Sequence, residues 1–165
     1  MLSFVGCSSA STLPPNLIHA TDSVGLSGGA LSGGYAGNFS EMGCGLNSGG
    51  SLSFSGSGQA TFLGMSSESG HMVAGGGACA IWKGSATLTS RFHRANTVTV
   101  STTFTNNDQQ PCNNPRHGPG RFPTYWTVTG GTGKFANATG KGSVTLVCDF
   151  TKHTYTDTWT GALKY

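Results

Sequence analysis

The chain has 165 residues, a usual size for one domain and enough to bury a single hydrophobic core. Only 9% of residues are charged and the formal net charge is +3, while 27 glycines accompany 20 serines and 21 threonines. Lys and Arg are scattered, densest at Arg91, His93 and Arg94, without the stripe of cations that a phosphate-binding groove needs, so no nucleic-acid partner is expected. Aromatics at 10% also set the chain apart from disordered segments, which combine high net charge with few aromatics.

Residues 1–24 read as a leader or flexible tether, polar and proline-bearing. Leu2-Ser3-Phe4-Val5-Gly6-Cys7 is similar to the end of a bacterial lipoprotein signal, which makes Cys7 a lipidation candidate, although no basic segment precedes it. No run approaches the ~18 apolar residues of a membrane-spanning helix, so a lipid anchor is the only membrane link expected.

Residues 25–165 read as a single β domain. Between Val24 and Gly50, glycines interrupt one or two short strands such as Gly34–Ser40. Ser51–Gly64 alternates clearly: Leu52, Phe54, Gly56, Gly58, Ala60 and Phe62 share one face, and serines with Gln59 share the other. Ala78–Phe92 follows with Trp82, Ala86, Leu88 and Phe92 on one face; its length predicts a bend near Gly84. Asn96–Thr105 places Val98, Val100, Thr102 and Phe104 together. Asn106–Pro123, with four of the six prolines, reads as the longest loop. The strand at Tyr125 then leads into a glycine turn, followed by strands at Ser143–Phe150 and His153–Tyr165.

No window has helical periodicity. Six to eight strands at hairpin spacing predict an all-β meander closed as an antiparallel β-barrel with little or no helix, ahead of a sandwich. Closure removes the strand edges that invite aggregation.

Cys44, Cys79, Cys112 and Cys148 form no Cys-x-x-Cys or Cys/His spacing, so neither a metal site nor a cofactor is expected. Four cysteines in a low-charge, hydroxyl-rich chain favour disulfides and a secreted or cell-surface location. Sequence order suggests Cys44–Cys79 and Cys112–Cys148; buried free thiols are the alternative.

The run Tyr125 to Gly142, Y-W-T-V-T-G-G-T-G-K-F-A-N-A-T-G-K-G, resembles a hairpin of the allene oxide cyclase barrel-like group, whose architecture dirigent proteins share with a related G-G-T-G-K/R-F motif. Phe54–Gly64 and Cys79–Thr89 look like segments of bacterial secreted members of that group. The resemblance covers Ser51 to Tyr165 and implies an eight-stranded antiparallel barrel with a small interior cavity. It transfers no active site residue by residue, and fold alone does not license function.

Asp157 is the leading catalytic candidate. Period two puts His153, Tyr155, Asp157, Trp159, Leu163 and Tyr165 on one face of the last strand, where burial would raise the acid's pKa and fit it for general acid–base work. Tyr155 and Trp159, with Trp126 and Trp82, are the expected ligand-lining aromatics. His71 reads as a loop residue, Arg91 as solvated, and His117 as a residue near a barrel mouth. Gly130-Gly131-Thr132-Gly133-Lys134 fails the phosphate-loop spacing, and no nucleophile elbow is present.

Two readings compete. One is an extracytoplasmic module that binds a small apolar ligand or serves a structural or surface role, with self-assembly into homo-oligomers as a sub-case favoured by low charge. The other is a cyclase or isomerase that encloses a small hydrophobic substrate beside Asp157. The residues leave open whether the chain is an enzyme.

Overall fold

The computed structural model describes residues 27–42, 50–75, 81–105 and 120–165. Eight strands run in chain order: β1 (Gly28–Met42), β2 (Ser51–Ala60), β3 (Gly64–Gly75), β4 (Ile81–Ser90), β5 (Thr97–Thr105), β6 (Gly120–Thr132), β7 (Thr139–Asp149) and β8 (Thr154–Lys164). Each pairs antiparallel with its neighbour, and β1 pairs with β8 to close the barrel. The expected eight-stranded antiparallel β-barrel is the architecture found. The one short helical element described is a 3-10 turn at Gly133–Phe135. Among the described residues no helix is long and apolar enough to cross a membrane.

Alternation decides what faces in. On β8 the buried residues are Tyr155, Asp157, Trp159 and Leu163, with threonines between them facing solvent. On β5 they are Val98, Val100, Thr102 and Phe104. Leu31, Leu63, Leu88, Val98, Phe135 and Leu163 belong to the large cluster that fills one end of the barrel. Smaller aromatic clusters around Trp82–Phe104 and Phe39–Tyr155 occupy the other half.

The glycine run works as the hairpin it resembles, but in a narrower form. β6 continues through Gly130 and Gly131, and the turn itself is Gly133–Phe135. Gly133 has φ +58°, a backbone region that side chains with a Cβ rarely adopt. A bulge between Thr99 and Val100 leaves Thr129 without an opposite number, which tightens the twist there.

Several expectations are corrected. His71 is not in a loop: it lies on the exposed face of β3, a strand that the sequence pattern hid. β6 begins at Gly120, so Gly120–Pro123 belong to a strand and not to the long loop. β4 runs unbroken through Gly84, which sits against the β3 backbone at His71 and Met72. Phe92, expected inside, is 77% exposed in the β4–β5 turn, beside exposed Arg91, His93 and Arg94. His153 is likewise exposed, at φ +54° in the turn before β8. The leader at 1–24 with Cys7, and Cys44, Cys79, Cys112 and His117, lie outside the described residues.

Candidate functional site

Asp157 points into the barrel from β8 and meets a second acid, Glu68, that the sequence pattern did not single out. Glu68 is 2% exposed and Asp157 7%. β3 carries Glu68 and β8 carries Asp157; β1 and β2 lie between them in the closed order, so the two side chains meet across the interior and not along the wall. Their carboxyls hydrogen-bond to each other. Tyr155 donates its hydroxyl proton to Glu68 Oε2 at 3.1 Å, and the Tyr35 backbone N–H donates to Asp157 Oδ1 at 2.9 Å. Tyr35 donates in turn to Ser66 Oγ at 2.7 Å, because the Ser66 hydroxyl already donates to the Gly64 carbonyl.

The electrostatics follow from what is missing nearby. Every described Lys and Arg side chain is exposed, so among the described residues no Lys or Arg neutralises the pair. Two buried carboxylates in contact without a counter-ion cannot both ionise. Burial is the main cause that pushes Glu68 up to about 10, and the neighbouring Asp157 charge adds to it. Asp157 is also raised by burial, opposed by its hydrogen bonds from Glu68 and from the Tyr35 N–H. At neutral pH the pair therefore holds a proton, carried on Glu68 and shared with Asp157, as in carboxyl dyads generally. Burial likewise raises the Tyr35 and Tyr155 hydroxyls, which remain donors.

The acid pair borders a cavity of about 30 Å³, room for one or two water molecules. Its walls are mostly apolar, with Phe39, Leu52, Phe54, Met72 and Leu146 among them. Thr102, Thr124 and Trp159 also line it. A third inward carboxyl, Glu41, stands near the end of β1, its pKa raised by burial and lowered by His153.

Of the aromatics expected at the site, Tyr155 and Trp159 line the cavity, while Trp82 and Trp126 do not. Trp82 stacks on Phe104 at 5.8 Å between ring centroids. Trp126 packs at 5.8 Å from Trp159 and donates its indole N–H to the Ser143 and Thr160 carbonyls, a wall-filling role. Cys148 is buried in β7 beside the cavity and forms no disulfide among the described residues, its expected partner Cys112 lying outside them; burial pushes its thiol pKa up to about 12.

No protein-family model matches the chain, and no curated protein matches it. Among solved structures it is similar to a pterocarpan synthase dirigent protein, with a TM-score of 0.60, 11% sequence identity, and coverage of 96% of this chain and 99% of that one. The similarity in shape across both full lengths, at so low an identity, gives the chain a dirigent-like barrel fold.

Proposed function

We propose that the barrel is a small-molecule binding or substrate-guiding module whose polar anchor is the Glu68–Asp157 pair. One observation carries this reading: a proton-sharing pair of acids is buried against an apolar cavity, with no cation beside it among the described residues. Filling those positions with apolar side chains would serve the fold better, so acids there point to use. The protonated pair suits a neutral molecule that offers an acceptor oxygen to the acid and its apolar frame to Phe39, Leu52 and Phe54. The cavity admits only the oxygenated end of such a molecule.

Titrating cyclohexanol into isotope-labelled full-length protein tests this. Amide shifts should cluster around Phe54, Tyr155 and Trp159. Shifts that are absent up to the solubility limit, or scattered over the exterior, would reject the binding reading.

The shared proton also favours a second reading, an isomerase or cyclase in which the pair protonates a substrate oxygen. The solved dirigent structure of similar shape is a pterocarpan synthase, which lends the idea weight without assigning a substrate. An Asp157→Asn variant that turned a substrate over at the parental rate would remove that role.

We place the protein outside the cytoplasm. The support is its hydroxyl-rich, weakly charged exterior and the four cysteines beyond residue 24. Association between copies draws support from the exposed Met42, Phe92 and Tyr125 side chains.

A further inference from the structure

Cations that lie scattered along the sequence are gathered by the fold at one end of the barrel. That end carries the β2–β3, β4–β5 and β6–β7 turns and the last residue of β8. Arg91 and Arg94 lie in the β4–β5 turn, Lys134 in the β6–β7 turn and Lys164 at the end of β8, with Lys141 close by near the start of β7; all are exposed. The described carboxyl side chains are elsewhere. Glu68 and Asp157 are buried in the interior, and Glu41 and Asp149 stand at the opposite strand ends. Among the described residues this end is therefore basic with no acidic side chain to offset it, whereas surfaces ordinarily mix both signs.

The same end presents apolar side chains at its tip. Phe92, between the two arginines, is 77% exposed, and Met65 near the start of β3 is 42% exposed. The Arg91 N–H donates to the Met65 carbonyl at 2.9 Å, which brings the β4–β5 turn against β3. The turns are also tied to one another. The Lys134 N–H donates to Asn96 Oδ1 at 3.1 Å, and the Lys134 ammonium donates to the Phe62 carbonyl at 2.9 Å. The face is thus connected before any partner arrives. A large aromatic left in water does nothing for the fold, so its place among cations points to a partner that takes up both. A soluble polyanion offers charge alone. A lipid surface offers anionic headgroups to the cations and, just beneath them, hydrocarbon to Phe92.

We propose that this end of the barrel docks on an anionic lipid surface, with Arg91, Arg94, Lys134 and Lys164 on the headgroups and Phe92 inserted among them. The docking face is independent of the acid pair, which faces the interior. It also agrees with the way the chain enters the barrel. The Ser27 carbonyl accepts the Tyr165 N–H at this end, so the segment that carries the lipidation candidate Cys7 joins the domain at the docking face. An anchor attached there would hold the same face to the same surface.

Co-sedimentation of the unlipidated full-length protein with vesicles tests this. Vesicles of equal parts phosphatidylglycerol and phosphatidylcholine should carry the protein down, and vesicles of phosphatidylcholine alone should not. Raising the salt from about 0.05 M to about 0.5 M should weaken binding at least tenfold, because surface attraction is screened. Arg91→Gln/Arg94→Gln should weaken it about 25-fold, fivefold for each cation withdrawn from the headgroups. Phe92→Ser should weaken it about tenfold, the lower end of what burying a phenyl ring supplies. Lys83→Gln/Arg121→Gln removes the same charge from exposed positions outside this face and should leave binding within about twofold. All these side chains are exposed, so the variants should keep the parent's melting temperature and the comparison is between folded proteins. Absence of binding to the anionic vesicles overturns the proposal. So does an equal loss in the two double variants, which would mean that binding follows net charge and not this face. Phe92→Ser that binds as tightly as the parent also overturns it, and marks the face as one for soluble polyanions.

Discussion

Tyr155 reaches from β8 to donate its hydroxyl proton to Glu68 Oε2 on β3, at 3.1 Å, and so ties two strands separated by β1 and β2. This bond also opposes the rise in the Glu68 pKa, because it favours the ionised form. Tyr155→Phe keeps the ring that packs edge-on against Phe54 at 5.7 Å but removes the donor. The variant should lose about 1–2 kcal/mol of stability in denaturant titration. The Glu68 carboxyl, followed by carbon-detected NMR, should titrate higher than in the parent. A lower midpoint would show that Tyr155 does not hold the ionised form.

Stability should fall as pH rises. Glu68 is pushed up to about 10 in the fold from an ordinary value of 4.5. Between those limits the folded state binds a proton that the unfolded state has released, so the unfolding free energy decreases with pH. The contribution is full below about pH 4.5 and is lost progressively towards pH 10, at up to about 1.4 kcal/mol per pH unit for each such group. Raised Asp157 and Glu41 act in the same direction, and exposed Asp149, lowered by Lys152, acts weakly against them. Denaturant midpoints at pH 5, 7 and 9 should therefore decline in that order.

Asp157→Asn should flatten that decline. Asparagine retains an oxygen for the Tyr35 N–H and removes the charge that helps to raise Glu68. The Glu68 midpoint should fall yet stay above the ordinary carboxyl range, because burial, its larger cause, is unchanged. A Glu68 midpoint equal to the parent's would show that the two acids are not electrostatically coupled.

Asp157 was legible in the sequence and Glu68 was not, for a physical reason. β8 advertises its inner face because Tyr155, Trp159 and Leu163 flank the acid at period two. β3 carries Ser66, Glu68 and Gly70 inward over its first half, with only Met72 and Ala74 apolar, while Met65 and Val73 point outward. A strand that lines a polar site loses the alternation by which strands are found. Met72 and Ala74 two residues apart, with Glu68 in phase, were the available signal. The hairpin at Gly133, by contrast, was plain, since its glycines serve backbone geometry.

Cys148 should behave as a shielded thiol. It is buried in β7 and its pKa is pushed up to about 12, so little thiolate exists at neutral pH. Iodoacetamide should label it in the native protein far more slowly than after unfolding, with mass spectrometry of the peptide as the readout. Unreduced, unfolded protein that yields no label at Cys148 would mean that the residue is in a disulfide.

Gly56 keeps room for the Tyr155 hydroxyl. A Cβ at Gly56 would lie 2.5 Å from that oxygen and 2.6 Å from the Ala36 carbonyl oxygen on β1, and the backbone atom cannot swing aside. Gly56→Ala should therefore cost about 1–3 kcal/mol through overpacking. It should also push Tyr155 off Glu68, so the Glu68 midpoint rises as it does in Tyr155→Phe. Gly130→Ala is the control: nothing lies within 4 Å of a Cβ there, and its effect should stay within about 0.5 kcal/mol. The two variants share one chemical change and differ only in what the new methyl meets. Equal stabilities would mean that the wall at Gly56 yields freely, and that the Tyr155–Glu68 bond is not held in place by the barrel's close packing.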